Sequence, residues 1–322
     1  MLRQNEWATS DSRMPGDFSI VLFRRIMIIA DIEGSSGCWS YTASSFFRRE
    51  WALACAAMTL DVQAVVQALL NAGVEEIVVK DFHRTGYNLL PEQIDPRARV
   101  DQGYVTGPIP AMGNPGGAEA AIFLGLHAAS GTSGFLAHTM TSRLAEVEVN
   151  GRCLPEITLF SALLAPFGIR PVFFSGCPVA CRQAEEEIPG ITTYAIDKGI
   201  DLQSFDVQDW RDGLVRTAVK ALSNGDTRPL IGEGPHAVRV VFRDGTVAAR
   251  TVARRWRLTQ EGASVRFAVQ DMKALFLMLC RICYLTPGMI PLLPAVLWLQ
   301  NLKGHLGLSW VRRQLRKGVS VS

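Results

Sequence analysis

The chain lacks an excess of basic charge. Its 33 Lys and Arg residues are balanced by 30 Asp and Glu among 322 residues, so the formal net charge is only +3 at pH 7. Proteins that bind nucleic acid concentrate basic residues until these dominate a face, and the overall composition gives no such excess. We therefore expect no nucleic-acid partner.

The cysteine pattern lacks a disulfide framework. The seven cysteines are odd in number and scattered in apolar surroundings, which is typical of reduced thiols in a cytoplasm; they are Cys38, Cys55, Cys153, Cys177, Cys181, Cys280 and Cys283. The last two have C-x-x-C spacing, but no second pair accompanies them, which argues against a zinc knuckle. We expect a cytoplasmic location.

The first 25 residues lack the charged start, the long apolar stretch and the small-residue cleavage site of a secretory signal. We expect residues 1–25 to form a disordered N-terminal extension. Hydrophobic residues make up 48% of the whole sequence. A chain of this length and composition can form one large domain, or two ordinary ones, with a buried core.

A pair of carboxylates follows the first apolar run. Residues 26–30 are continuously apolar, which is typical of a buried strand, and Gly34 and Gly37 then break the strand into a loop. Asp31 and Glu33 stand two residues apart, so both point the same way at the carboxyl end of the strand. Open α/β sheets bind ligands there. Adjacent like charges repel and favour a cation, although two acids in a solvated loop are the simpler interpretation.

Strands and helices alternate from residue 26 to about residue 198. Apolar runs that predict strands are separated by stretches of helical spacing, which is typical of an α/β fold with a largely parallel sheet flanked by helices. We assign an α/β domain to residues 26–198. The patterns over 199–285 predict a smaller α+β domain, and residues 286–322 form a proline-rich tail that is apolar first and basic last.

Histidines and a further acid extend this polar edge. His83 follows the second predicted strand, His127 follows the strand that ends at Leu126, and His138 lies in the loop region beyond. Glu156 begins a predicted helix, where an acid also suits the helix dipole. A lone histidine at a strand end is usually structural, but imidazoles beside paired carboxylates suit zinc, manganese or cobalt. These residues predict a metal site.

Five separated motifs contain these residues. They are Asp-Ile-Glu-Gly-x-x-Gly from Asp31, Asp-x-His ending at His83, Gly-x-His-Ala around His127, His-Thr-Met from His138, and Asn-Gly-Arg-x-x-Pro-Glu ending at Glu156. In this order and spacing they resemble the motifs of the D-aminopeptidases associated with the dipeptide-transport operon. The resemblance covers about Ile26 to Leu285, and five motifs in order are far more specific than any one of them.

The resemblance implies a zinc-dependent aminopeptidase with two zinc ions per chain. Asp31 would bridge both metals. Glu33 and His83 would complete one metal site. His127 and Glu156 would complete the other. The implied substrates are short peptides or amino-amides with a free N-terminal residue, probably of D configuration. The family forms ring-shaped oligomers, so the resemblance also implies a homo-oligomer.

The resemblance assigns the catalytic role to His138, as a base or nucleophile beside the metals. The chain departs from the family pattern elsewhere. Cys177 stands where the family has an Asp after a strand, and the Ser-Arg that follows the family's Lys is missing after Lys198, although Lys198 itself matches. These departures leave the predicted metal ligands intact, but they bear on which substrate the protein binds. For Lys198 we expect a substrate or structural role.

Other interpretations fit the same residues. A different metallohydrolase could act on a non-peptide amide or ester, and a metal- or peptide-binding protein could lack catalysis. The tail could be a subunit contact or covering arm, an interfacial membrane contact, or a membrane span. Residues 282–299 contain no charge, which reaches the length of a span, but Pro287, Pro291 and Pro294 argue against a continuous helix.

Overall fold

The computed structural model describes residues 22–318, so most of the predicted extension 1–25 lies outside the described residues. In chain order the strands are β1 (Arg25–Ala30), β2 (Glu76–Asp81), β3 (Ala98–Asp101), β4 (Ala120–Leu126), β5 (Leu144–Val149), β6 (Arg152–Cys153), β7 (Arg170–Gly176), β8 (Thr192–Ala195), β9 (His236–Phe242), β10 (Thr259–Glu261) and β11 (Ser264–Val269). The α-helices are α1 (Arg49–Asn71), α2 (Glu156–Leu164), α3 (Pro178–Glu187), α4 (Val207–Ala221), α5 (Gly245–Trp256), α6 (Met272–Tyr284) and α7 (Leu293–Arg316).

Six strands form a parallel sheet in the order β3-β2-β1-β4-β7-β8. The continuous apolar run of β1 feeds two cores, because alternate residues of a strand point to opposite faces. Ile26 and Ile28 pack in one core with residues of α1 and α4. Met27 and Ile29 pack in the other with residues of α2, α3 and the second sheet. The predicted α/β fold with a largely parallel sheet flanked by helices is confirmed.

The second sheet is antiparallel, in the order β10-β11-β9-β5-β6. Its strands β5 and β6 come from residues 144–153, and they meet at Asn150 and Gly151, which both have positive φ angles and form the expected tight turn. Helix α4, by contrast, packs beside α1 on the parallel sheet. Strands and helices thus cross the division predicted at residue 198, and the domain boundary itself stays a prediction.

The tail does not continue α6 as one helix, as its prolines indicated. The apolar stretch is interrupted, since α6 ends at Tyr284 and a short 3-10 turn at Pro287–Met289 follows. A helix of 24 residues, α7, then begins at Leu293. Pro294 does not prevent this helix because it lies in the first turn, where its missing N–H has no intrahelical partner to lose.

One described helix, α1, is long and apolar enough to cross a membrane by length and composition. Its most apolar window is 61% buried within the protein, and its residues Val62, Val65 and Val66 belong to the core against the parallel sheet. Packing inside the fold therefore accounts for its apolar character, as for other core helices.

Candidate metal centre

The predicted site residues meet at the carboxyl edge of the parallel sheet. Asp31 and Glu33 follow β1, His83 follows β2 and His127 follows β4. Strand β1 lies between β2 and β4, so the chain crosses away from β1 on both sides, and the crevice beyond such a switch point is where α/β sheets bind ligands. Strand order thus brings together side chains that are far apart in sequence.

The first candidate metal group contains Asp31, Glu33 and His83. The Nδ1 atom of His83 lies 3.1 Å from Asp31 Oδ1 and 3.0 Å from Glu33 Oε2. Its other ring nitrogen, Nε2, lies 2.9 Å from the carbonyl oxygen of Ser44 and donates to it, because a carbonyl can only accept. A neutral His83 therefore directs the lone pair of Nδ1 at the two carboxylates, as a metal ligand does.

The second candidate group contains His127, His138 and Glu156. The Nε2 atom of His127 lies 3.4 Å from Glu156 Oε2 and 3.5 Å from Asp31 Oδ2. Asp31 thus presents Oδ1 to the first group and Oδ2 to the second. Glu156, the first residue of α2, accepts a hydrogen bond from the Met140 N–H through Oε1 at 2.7 Å, which leaves Oε2 directed at His127.

His138 stacks on His127, with ring centroids 3.7 Å apart and planes 15° from parallel. The His138 N–H donates to the carbonyl of Ala128 at 3.0 Å, which holds the loop beside β4. Its ring Nδ1 lies 2.8 Å from the carbonyl oxygen of Leu136, so the proton resides on Nδ1 and Nε2 can accept one. Burial and the neighbouring His127 lower the pKa of His138, which favours the neutral ring that a general base needs.

Three carboxylates are buried in this small volume, with 3–7% of Asp31, Glu33 and Glu156 exposed. Burial and the charge of Glu33 raise the pKa of Asp31 to about 7. Burial opposes protonation of His83 and His127, but the carboxylates outweigh it and raise the pKa of each ring to about 10. In the metal-free protein, protons on these groups therefore offset part of the negative charge of the three carboxylates.

The residues present fit two divalent ions. Glu33 Oε2 is fully buried and accepts no well-aligned hydrogen bond, since its one polar neighbour is His83 Nδ1 at 3.0 Å, although water-excluded carboxylate oxygens normally find a donor. His83 and His127 each direct one ring nitrogen at carboxylates and the other at a backbone carbonyl, as zinc-ligating histidines do. Within the described range no cysteine belongs to either candidate group, so nitrogen and oxygen would be the donor atoms.

Two glycines allow the loop after β1 to approach β4. A Cβ atom on Gly34 would lie 2.6 Å from the carbonyl oxygen of Leu126, and one on Gly125 would lie 2.3 Å from that of Asp31. Gly125 also has a φ angle of +75°, which L-residues rarely adopt. The glycine that follows Glu33 is therefore required by the close packing of the strands that carry Asp31 and His127.

Sequence reasoning left one supporting residue, Asp81, without a role. Asp81, two residues before His83, is fully buried and accepts hydrogen bonds from the side chain of Asn88 at 2.8 Å and the N–H of Leu89 at 2.7 Å. It orders the loop that carries His83. The Asp-x-His spacing at the end of β2 pointed to Asp81, but its carboxylate binds the loop that follows β2 and not the metal groups.

Lys198 and Cys177 also lie near this edge. Lys198 Nζ donates to the carbonyl of Ser35 at 2.5 Å and lies 4.4 Å from the ring centroid of Trp39. Burial lowers the pKa of Lys198 to about 8. Lys198 thus braces the loop after Glu33, which is a structural contact. Cys177 is buried before α3 and forms no disulfide.

Comparison with known proteins agrees with this architecture. A family model described as D-aminopeptidase (peptidase family M55) matches residues 24–280. A D-aminopeptidase of Bacillus subtilis (strain 168) is 27% identical over 209 residues, which cover 65% of this chain and 71% of that protein.

A solved structure has the same fold. The Zn-dependent D-aminopeptidase DppA from Bacillus subtilis, described as a self-compartmentalizing protease, aligns with a TM-score of 0.73 and 23% identity, over 81% of this chain and 97% of that one. The family match spans most of this chain and includes every residue placed at the carboxyl edge of its sheet. The chain therefore belongs to the D-aminopeptidase family of peptidases.

Proposed function

We propose that this protein is a zinc-dependent aminopeptidase that removes N-terminal residues, of D configuration, from short peptides or amino-amides. The observation that carries the proposal is the position of Asp31. Its two oxygens address the His83 group and the His127 group separately, which is the arrangement that a two-metal hydrolase requires. The Zn-dependence of the related DppA supports zinc as the metal.

Each residue has a distinct role in this proposal. Asp31 would bridge the two ions, with Glu33 and His83 completing one site. His127 and Glu156 would complete the other. Two zinc ions bound there would supply a water of lowered pKa and would polarise the amide carbonyl. The burial of the carboxylates strengthens their attraction for the ions, because little water screens their charge.

His138 would act as the proton carrier or nucleophile. Its Nδ1–H is fixed by the carbonyl of Leu136 and its Nε2 is available as an acceptor. The lowered pKa of the ring, due to burial and His127, keeps Nε2 unprotonated at neutral pH. The ring could therefore take a proton from the attacking group and pass it to the leaving amine.

The first test is the metal content of protein purified without chelator, measured by plasma mass spectrometry. We expect about two zinc ions per chain, as a dinuclear site requires, and a clear loss in His127→Ala. The matched control is His305→Ala, an exposed histidine on α7 outside the site. Protein that binds no metal even after reconstitution would overturn the proposal.

A substrate panel decides the finer points. Paired D- and L-amino amides, short peptides, and non-peptide amides and esters are offered to the zinc-loaded enzyme. The family to which the chain belongs supports preference for D-residues. Turnover confined to esters or non-peptide amides would instead support another metallohydrolase. Metal binding with no turnover on any compound would support a binding protein.

We also propose that the chain forms a homo-oligomer and works in the cytoplasm. The description of DppA as self-compartmentalizing supports the first point, and the seven free cysteines, none disulfide-bonded, suit a reducing compartment. Light scattering of the purified enzyme tests the assembly, since a monomeric mass at micromolar concentration would contradict it. Fractionation of the source cells tests the location.

A further inference from the structure

Helix α7 rests on the body of the protein through one closely packed face. A Cβ atom on Gly304 would lie 2.1 Å from the ring of Tyr87, and one on Gly307 would lie 2.2 Å from the ring of Phe46. Leu308 and Val311, on the same face, are 2% and 0% exposed. The orientation of the helix about its own axis is therefore fixed.

Polar contacts pin both halves of α7 to the same surface. The Asn301 side chain accepts from the Tyr104 N–H at 2.9 Å and donates to the Tyr104 carbonyl at 3.1 Å. Near the other end, Arg312 forms a two-pronged ion pair with Glu92 at 2.8 Å. The helix is thus an integral part of the fold, and one of its faces consistently points outward.

The outward face of α7 is apolar over its first four turns. Leu299, Leu302 and Leu306 follow one another at intervals of three and four residues, so they share a face. They are 58%, 41% and 61% exposed, and Trp298 beside them is 63% exposed. Large side chains grouped in this way on a surface mark a site of contact with a partner.

The same face becomes basic towards its end. Arg313 and Arg316 follow Leu306 by seven and ten residues, which continues the stripe, and both are exposed. Residues 272–322 hold seven Lys and Arg and no Asp or Glu, a formal charge of +7. Residues 1–271 hold 26 Lys and Arg against 30 Asp and Glu, a charge of −4. The basic end of this face therefore favours an anionic partner.

A second copy of α7 does not meet this requirement. In a two-fold contact the same patch faces itself, and because residues 272–322 contain no acid, the α7 of the other copy offers no opposite charge to the cations of the stripe. Helix α7 also lies beyond residue 280, where the family match ends. The part of the chain that matches the family model therefore does not include it.

We propose that the outward face of α7 docks this protein on an anionic lipid bilayer. Leu299, Leu302, Leu306 and Trp298 would enter the boundary between head groups and acyl chains, and Arg313 and Arg316 would bind lipid phosphates. Amphipathic helices with this division of apolar and basic side chains lie in the plane of the interface. The cytoplasmic leaflet, which is negatively charged, supplies such a surface to a cytoplasmic enzyme.

The test is co-sedimentation of the full-length, zinc-loaded enzyme with vesicles. One set contains phosphatidylcholine alone, and the other contains about one third phosphatidylglycerol, which gives a negative surface potential. We expect binding to the anionic vesicles only, and release at high salt because surface charges are then screened. Wild-type protein that sediments with neither set would overturn the proposal.

Two double variants separate the apolar and basic contributions. Leu299→Glu with Leu306→Glu should abolish binding. Arg313→Gln with Arg316→Gln should weaken it about fivefold for each arginine removed. The matched control is Val247→Glu with Ile231→Glu, since both side chains are 75% exposed and lie outside α7, and it should bind as wild type. Because none of these residues is in the metal centre, turnover in solution reports that each variant is folded.

The remaining outcomes also decide the question. Undiminished binding by Leu299→Glu with Leu306→Glu would exclude the apolar face as the docking surface. A lower molar mass of that variant in light scattering, with no vesicle binding by wild type, would mean that a second copy covers the face. Vesicle binding only after removal of residues 1–21 would assign the face to that segment in the intact chain.

Discussion

The carboxyl edge of the parallel sheet and the outward face of α7 depart from the usual burial of side chains in opposite ways. The edge buries three carboxylates, Asp31, Glu33 and Glu156, with few donors to satisfy them, although buried charge is costly unless it is paired. The face of α7 leaves large apolar side chains in water. Each departure has its own remedy, a cation for the first and an apolar, anionic surface for the second. Departures from ordinary burial therefore indicate where a ligand or a partner binds. Buried carboxylates indicate a cation, and exposed apolar side chains indicate an apolar surface.

The largest effect is expected from His138→Ala, which tests whether the edge is catalytic as well as metal-binding. Loss of a general acid–base group lowers turnover by about 10²–10⁴-fold. Zinc content should stay at the wild-type level, because none of the five proposed ligands, Asp31, Glu33, His83, His127 and Glu156, is changed. Steady-state rates and metal analysis of the same sample measure both, with His305→Ala as the control. Unchanged turnover would remove His138 from the mechanism.

The next effect tests the sharing of Asp31 between the two groups. Asp31→Asn removes a carboxylate charge from both, whereas Glu33→Gln removes one from the His83 group alone. We expect Asp31→Asn to lose about two zinc ions per chain and Glu33→Gln to lose about one, if the centre is dinuclear. Titration of metal-stripped protein with zinc measures the sites. Equal losses in both variants would contradict a bridging position.

A smaller effect tests how α7 is seated. Gly307→Ala places a methyl group 2.2 Å from the ring of Phe46, and overpacking of this kind costs about 1–3 kcal/mol. Leu306→Ala, one position away on the exposed side, should change the free energy of unfolding by less than about 0.5 kcal/mol. Urea unfolding of both variants makes the comparison. Equal midpoints would mean that α7 packs loosely in solution.

The smallest effect concerns the ion pair between Arg312 and Glu92. Both side chains are partly exposed, at 38% and 48%, and exposed pairs contribute about 0.2–1 kcal/mol. A double-mutant cycle with Arg312→Ala and Glu92→Ala should give a coupling energy in that range that shrinks in high salt. A coupling above this range would show that the pair, rather than the glycine contacts, holds the helix.

The metal centre was more predictable than the tail. The residues of the edge follow apolar runs at strand ends, and both signals are local in sequence, so Asp31, His83 and His127 could be located from the pattern. Pro287 likewise indicated that α6 ends shortly before it. That Leu293 begins a helix of 24 residues was not, because a proline that breaks one helix can also begin the next.

Hydrophobic periodicity and residue chemistry are properties of short stretches, so the alternation of strands and helices, the candidate ligands and their family spacing follow from local patterns. The three-dimensional fold places β1 between β2 and β4, so that Asp31 faces both His83 and His127. It likewise decided that β5 joins β9 in a second sheet and that α7 turns its glycines inward. These outcomes depend on contacts between distant residues, which no local pattern records.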